Sequence, residues 1–102
     1  MMHFYKKLYL SPDIKNVNKL KWRLRTGRGS LSLYLLVLNK DSKKLEYFHN
    51  GLLKQKFLHR RDMDIVGLAT GADACMELIE KIVSDSYEAT GKYDAYDFLA
   101  GV

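Results

Sequence analysis

The sequence predicts an α+β fold: a small single-layer, mostly antiparallel sheet with helices packed on one face. Three observations carry that expectation. Short runs rich in Leu, Tyr and Val alternate along the chain with segments whose apolar residues recur at helical spacing. Two of the strand-like runs are joined by a short polar turn, as in an antiparallel pair. The chain has 102 residues, 47% of them hydrophobic, which suits one core, so residues 1–102 are expected to form a single α+β domain.

Phe4 to Leu10 reads as a strand, with Phe4, Lys6, Leu8 and Leu10 on one side and Tyr5, Lys7 and Tyr9 on the other. Ser11-Pro12-Asp13 has the composition of a helix start: a capping hydroxyl, a Pro for the first turn and an acid for the positive end of the dipole. The spacing predicts a helix from Pro12 to about Arg25, its apolar stripe made by Ile14, Val17, Leu20 and Leu24. Trp22 then falls on the opposite side, among Lys15, Lys19 and Arg23. Residues 19–25 also alternate as a strand would, but the capping composition and the four-residue stripe favour helix.

Thr26 to Ser30 is a break, and Leu31 to Leu38 reads as a central strand. Residues 39–43 form a polar turn, and Lys44 to His49 returns as its hairpin partner. Asn50-Gly51 has tight-turn composition; residues 52–58 fit either a short helix or a strand. Met63 to Ala69 is a further strand. Asp73 to about Glu88 is strongly amphipathic. Cys75, Leu78, Ile79 and Ile82 share one side, Val83 and Tyr87 its border, and Asp73, Glu77, Glu80, Ser84 and Glu88 the other. Gly91 is a helix stop, and residues 93–99 suggest a last short helix. The order β-α-β-β-(short α or β)-β-α-α resembles a ferredoxin-like arrangement with a helix appended, a likeness of fold that carries no function.

The formal net charge of +5 conceals an asymmetry. Residues 1–61 hold fifteen Lys or Arg against three acids, +12. Residues 62–102 hold two against nine, −7. Such a split points to nucleic acid, a membrane surface or a complementary partner. The most apolar stretch, the eight residues from Leu31 to Leu38 with Ser32 among them, is too short to span a bilayer, which takes about 20, and no leader pattern opens the chain. A single Cys and the absence of an Asn-x-Ser/Thr site fit a reducing, cytoplasmic setting.

Catalytic and metal chemistry find little support. His3, His49 and His59 share no helical spacing, and Cys75 has no Cys-x-x-Cys partner. His59, Asp62 and Asp64 are the one local group of ligand types, and a polar loop explains them equally well. Cys75 sits on the apolar side of its helix, where Cys packs as a small hydrophobe. Asp94 and Asp97, like Asp62 and Asp64, stand near element ends, where solvated acids are ordinary. Gly27 to Ser30 follows a helix and precedes a strand, the reverse of a dinucleotide loop. Gly67 to Asp73 runs strand to helix but lacks the Gly-Lys-Ser/Thr of a nucleotide loop. Close packing at Gly67 and a cap from Thr70 or Asp73 account for it. No catalytic, metal or cofactor site is expected.

Two surfaces remain. Lys15, Lys19, Trp22, Arg23, Arg25 and Arg28 form a basic segment with an aromatic among cations, the composition of a phosphate- and base-contacting surface. Tyr93, Tyr96 and Phe98 are candidate interface aromatics. The expected function is a non-catalytic module that binds a protein partner or itself, with nucleic-acid binding through residues 15–28 as the alternative. No membrane association is expected.

Overall fold

The computed structural model describes residues 2–25, 33–49 and 63–101. Along them run β1 (Met2–Leu10), α1 (Val17–Arg25), β2 (Leu33–Asn39), β3 (Lys44–His49), β4 (Met63–Thr70), α2 (Ala72–Thr90) and α3 (Ala95–Ala100). The α+β class and the order of these elements agree with the expectation. Residues 52–58, expected to be a helix or a strand, lie outside the described residues.

The strands form one mixed sheet in the order β1-β4-β2-β3. β2 pairs antiparallel with both β3 and β4, while β1 lies parallel to β4. Among the described strands β1 is therefore at an edge, and the ferredoxin-like order is not confirmed by this arrangement.

The helices do not share one face, as expected, but cover both. Leu33, Leu35, Val37, Ile65 and Leu68 form one buried cluster, against which Ile14, Val17 and Leu20 pack. Leu36, Leu38, Val66 and Ala69 form a second with Cys75, Leu78 and Ile82, and Ala95, Tyr96 and Leu99 pack on it. The cause is compositional. From Leu33 to Leu38, β2 carries an apolar or aromatic residue at every position, so neither side can be left in water, and a strand of that kind needs cover on both.

β4 is apolar from Ile65 to Ala69 and holds a bulge. Leu36 stands opposite Gly67 and Val37 opposite Ile65, so Val66 has no residue facing it. The extra residue turns Ile65 and Leu68 to the same side although three positions separate them. Gly67 makes this possible. A Cβ there would lie 2.8 Å from Leu36 Cδ1 and 3.2 Å from the Tyr9 carbonyl oxygen.

The start of α1 departs from expectation. Asn16, not Ser11, caps it: the Lys19 amide donates to Asn16 Oδ1 at 3.1 Å. Ser11 and Pro12 belong to a turn in which the Ile14 amide donates to the Ser11 carbonyl at 3.1 Å. The Ser11 side chain is buried. Its oxygen accepts from the Thr70 amide at 3.2 Å and its hydroxyl donates to Asp13 Oδ1 at 2.7 Å. Thr70 also donates to Asp13 Oδ2. These two hydroxyl donors hold the Asp13 carboxyl below its ordinary value. The turn thus links the ends of β1 and β4 instead of opening a helix. Neither Thr70 nor Asp73 caps α2, whose N-cap is Gly71 with no side-chain cap bond.

Candidate interaction surfaces

α1 puts Val17 and Leu20 against the sheet. Trp22, two residues beyond Leu20, is turned about 200° away at 100° per residue, and 56% of it is exposed. Lys15 and Lys19 are also exposed. Lys21 is half-buried, its ammonium 5.4 Å from the centre of the Phe4 ring. Of the remaining basic candidates, Arg23 and Arg25 lie in α1 by their backbone. Their side chains, like all of Arg28, fall outside the described residues.

On the other side of the sheet, α2 is the longest element, at 19 residues. Cys75, Leu78, Ile82 and Ser86 are its buried line. Ser86 has no exposure; its hydroxyl shares its proton between the carbonyls of Lys92 at 2.9 Å and Asp94 at 3.0 Å. The helix ends at Gly91, whose φ of 75° lies in the left-handed region and whose amide donates to the Tyr87 carbonyl at 2.8 Å. Ser86 and Gly91 together fold the following loop back on the helix. Tyr93 consequently stacks on Tyr87, with centroids 4.5 Å apart and planes within 11°.

The three C-terminal aromatics do not form one patch. Tyr93 is 71% exposed. Tyr96 packs inward on the second cluster, and Phe98 is half-buried. The aromatic that joins Tyr93 is Tyr87, which helical spacing placed only at the border of the buried side. The signal that could have revealed it is Gly91, because a left-handed stop there reverses the chain. Ile79, Glu80, Val83, Ser84, Tyr87 and Tyr93 line an open groove of about 340 Å³.

Charge follows the same division. Asp73, Glu77, Glu80, Glu88, Asp94 and Asp97 are exposed on α2, on α3 and between them, where they outnumber the exposed Lys81 and Lys92. Lys15, just before α1, and Lys19, in its first turn, are exposed, and α1 packs on the opposite face. Among the described residues, the salt bridge is Lys40 Nζ to Asp64 Oδ2 at 3.2 Å. The acidic line of α2 and the basic side of α1 are thus separated by the sheet.

Two tyrosines of β1 tie that strand to the acidic side. Tyr9 donates to Asp85 Oδ2 at 2.7 Å, and Tyr5 donates to the Leu99 carbonyl at 2.8 Å. Burial and the Asp85 hydrogen bond push the Tyr9 phenol up to about 12; burial, then Asp64, raises Tyr5.

Among the described residues, those that catalysis or metal binding would need are dispersed. His3 is on β1 and His49 on β3, at opposite edges of the sheet and in different rows of it, so at least about 14 Å separates them. His49 meets the Tyr34 ring edge-on at 5.3 Å. Cys75 has no exposure, and burial pushes its thiol up, away from the nucleophilic thiolate. His59 and Asp62 lie outside the described residues. Among those described, no three His, Cys, Asp or Glu stand close enough to hold a metal ion, and no helix is long and apolar enough to cross a membrane. No known protein family, curated protein or solved structure matches the chain.

Proposed function

We propose that this chain is a small, non-catalytic interaction module that binds a protein partner, with self-association the form its charges favour. The observation that carries this reading is the exposure of aromatic groups on two oppositely charged faces. Trp22 stands beside Lys19 on one, and the Tyr87–Tyr93 stack stands among acids on the other. Aromatic side chains supply most of the energy at interfaces, while charges at the rim govern encounter and partner choice. The buried, unpaired Cys75 asks for no oxidation, which supports a cytoplasmic setting. Sedimentation velocity across a wide concentration range, at low and high salt, tests the self-associating form. The expected result is a mass that rises with concentration and falls with salt. A monomer at every concentration would remove it.

Nucleic-acid binding is the second reading, and one observation favours it. The acids of α2, which would repel a polyanion, lie across the sheet from Trp22, Lys15 and Lys19. Titration with a generic oligonucleotide, read by the fluorescence of the single Trp, should then show affinity that drops steeply with salt. An unchanged spectrum at low salt sinks it.

A further inference from the structure

The exposed aromatic groups occupy opposite faces of one sheet. Trp22 projects from α1, which covers the side of Leu35 and Ile65. The groove beside Tyr87 and Tyr93 runs along α2, which covers the side of Leu36 and Val66. A side chain of α1 does not reach that groove within its own molecule. We propose that the groove receives Trp22 from a second copy of this chain, so that molecules join head to tail. The proposal rests on the interaction-module reading and names what the module binds.

Shape and charge select this occupant. The groove is open, about 340 Å³, with Ile79 and Val83 along it and the two tyrosine rings at one end. That space suits one flat indole, which can pack on the alkyl side chains and meet the rings in an offset or edge-on arrangement. Glu80 lines it, Glu77 lies one turn back on α2, and Glu88 and Asp94 adjoin the two tyrosines in sequence; all four are exposed, and with the exposed Lys81 and Lys92 beside them the rim remains net acidic. Lys19 precedes Trp22 by three residues and lies on the same side of α1. Seating Trp22 therefore brings an exposed ammonium to an acidic rim.

The same charges disfavour a two-fold dimer. Pairing two α1 faces would set Lys15 and Lys19 against their copies, and pairing two α2 faces would oppose two net acidic surfaces. A head-to-tail contact uses two different surfaces, so it does not close at two molecules unless a ring forms. The wild-type chain should pass beyond the dimer as concentration rises.

Two variants decide the matter, both at exposed positions that leave the core intact. Trp22→Ala removes the inserted ring, and Tyr93→Ser with Glu80→Lys spoils the groove. Each alone should raise the dissociation constant at least about tenfold, with thermal midpoints near that of the wild type. Mixed in equal amounts, they retain one intact pairing, the Trp of the groove variant with the groove of the other. Sedimentation should then show a species that stops at two molecules, accompanied by a blue shift of the single Trp, which only the groove variant carries. Wild-type association that neither variant weakens, or a mixture that stays monomeric, overturns this contact and leaves self-association standing. A wild-type monomer at every concentration overturns both. A shift on adding an oligonucleotide, with no self-association, gives the α1 face to nucleic acid instead.

Discussion

α1 and α2 cover the two sides of one sheet by different means. α1 has nine residues, and its sheet-facing Val17 and Leu20 are only half-buried. α2 has nineteen, places four residues beyond solvent, and is bonded to β1 through Tyr9 and Asp85. Burial of apolar area is the main source of stability, so the α2 side holds the fold together. Among the described residues, the α1 side is attached more lightly and keeps its one large aromatic outside. The exposed Trp therefore sits where the fold has least to lose by engaging a partner.

That contrast is most directly broken by deleting equivalent apolar groups on the two helices. Ile82→Ala should destabilise the protein by about 3 kcal/mol, because a fully buried aliphatic leaves a cavity. Leu20→Ala should cost about 1 kcal/mol, since its site already meets water. Urea unfolding of both variants measures the difference, and equal losses would remove the distinction.

Between the two helices lies β4, and Gly67→Ala probes the layer they share. The added carbon would meet Leu36 and the Tyr9 backbone at once, so a loss of about 2 kcal/mol is expected in the same unfolding experiment. A neutral result would mean that the bulge adjusts freely.

Tyr9→Phe sharpens the contrast on the α2 side. It removes a hydrogen bond to a carboxylate while retaining the ring, at a cost of about 1.5 kcal/mol near neutral pH. The pH dependence has a definite sign. The folded chain favours the neutral phenol, so its contribution is complete below the ordinary value near 10 and is lost as pH rises toward about 12. Alkaline unfolding followed by circular dichroism should be shallower in Tyr9→Phe than in the wild type; identical profiles would assign it to other groups.

The smallest effect belongs to the α1 cap. Asn16→Ala removes the acceptor for the Lys19 amide and should cost about 1 kcal/mol. It should also raise amide exchange in the first turn of α1 while leaving α2 unchanged. Equal acceleration in both helices would show that they open together.

Local pattern reveals much of this fold. The alternation in β1 assigns Phe4, Leu8 and Leu10 to one side and Tyr5 and Tyr9 to the other, as the two clusters have them. The bounds of β3 follow from the polar turn before it, and Cys75, Leu78 and Ile82 of the buried line of α2 from its 3.6-residue period, which does not foresee Ser86. What escapes local reading depends on distant partners. Ser11 has the composition of a cap, but its oxygen is taken by Thr70, which lies at the far end of β4. The unbroken apolar run of β2 does signal cover on two sides, whereas strand order depends on pairings that no window contains. At the candidate surfaces, helical spacing places Trp22 outward, on the side away from the apolar stripe. It does not foresee the Tyr87–Tyr93 stack, because a loop reversal makes that contact.

The parallel edge pairing has a consequence for how the chain comes to be folded. Among the described strands, β1 pairs with β4 alone, with Met2 opposite Met63. During synthesis the hairpin of β2 and β3 can close early, while β1 emerges first and waits for a neighbour made much later. Until then Leu8 and Leu10 have no sheet to cover them, and the strand's amides stay open to other chains. Lys6 and Lys7, both exposed in the finished protein, place charge on that waiting segment, where it discourages pairing with the wrong strand.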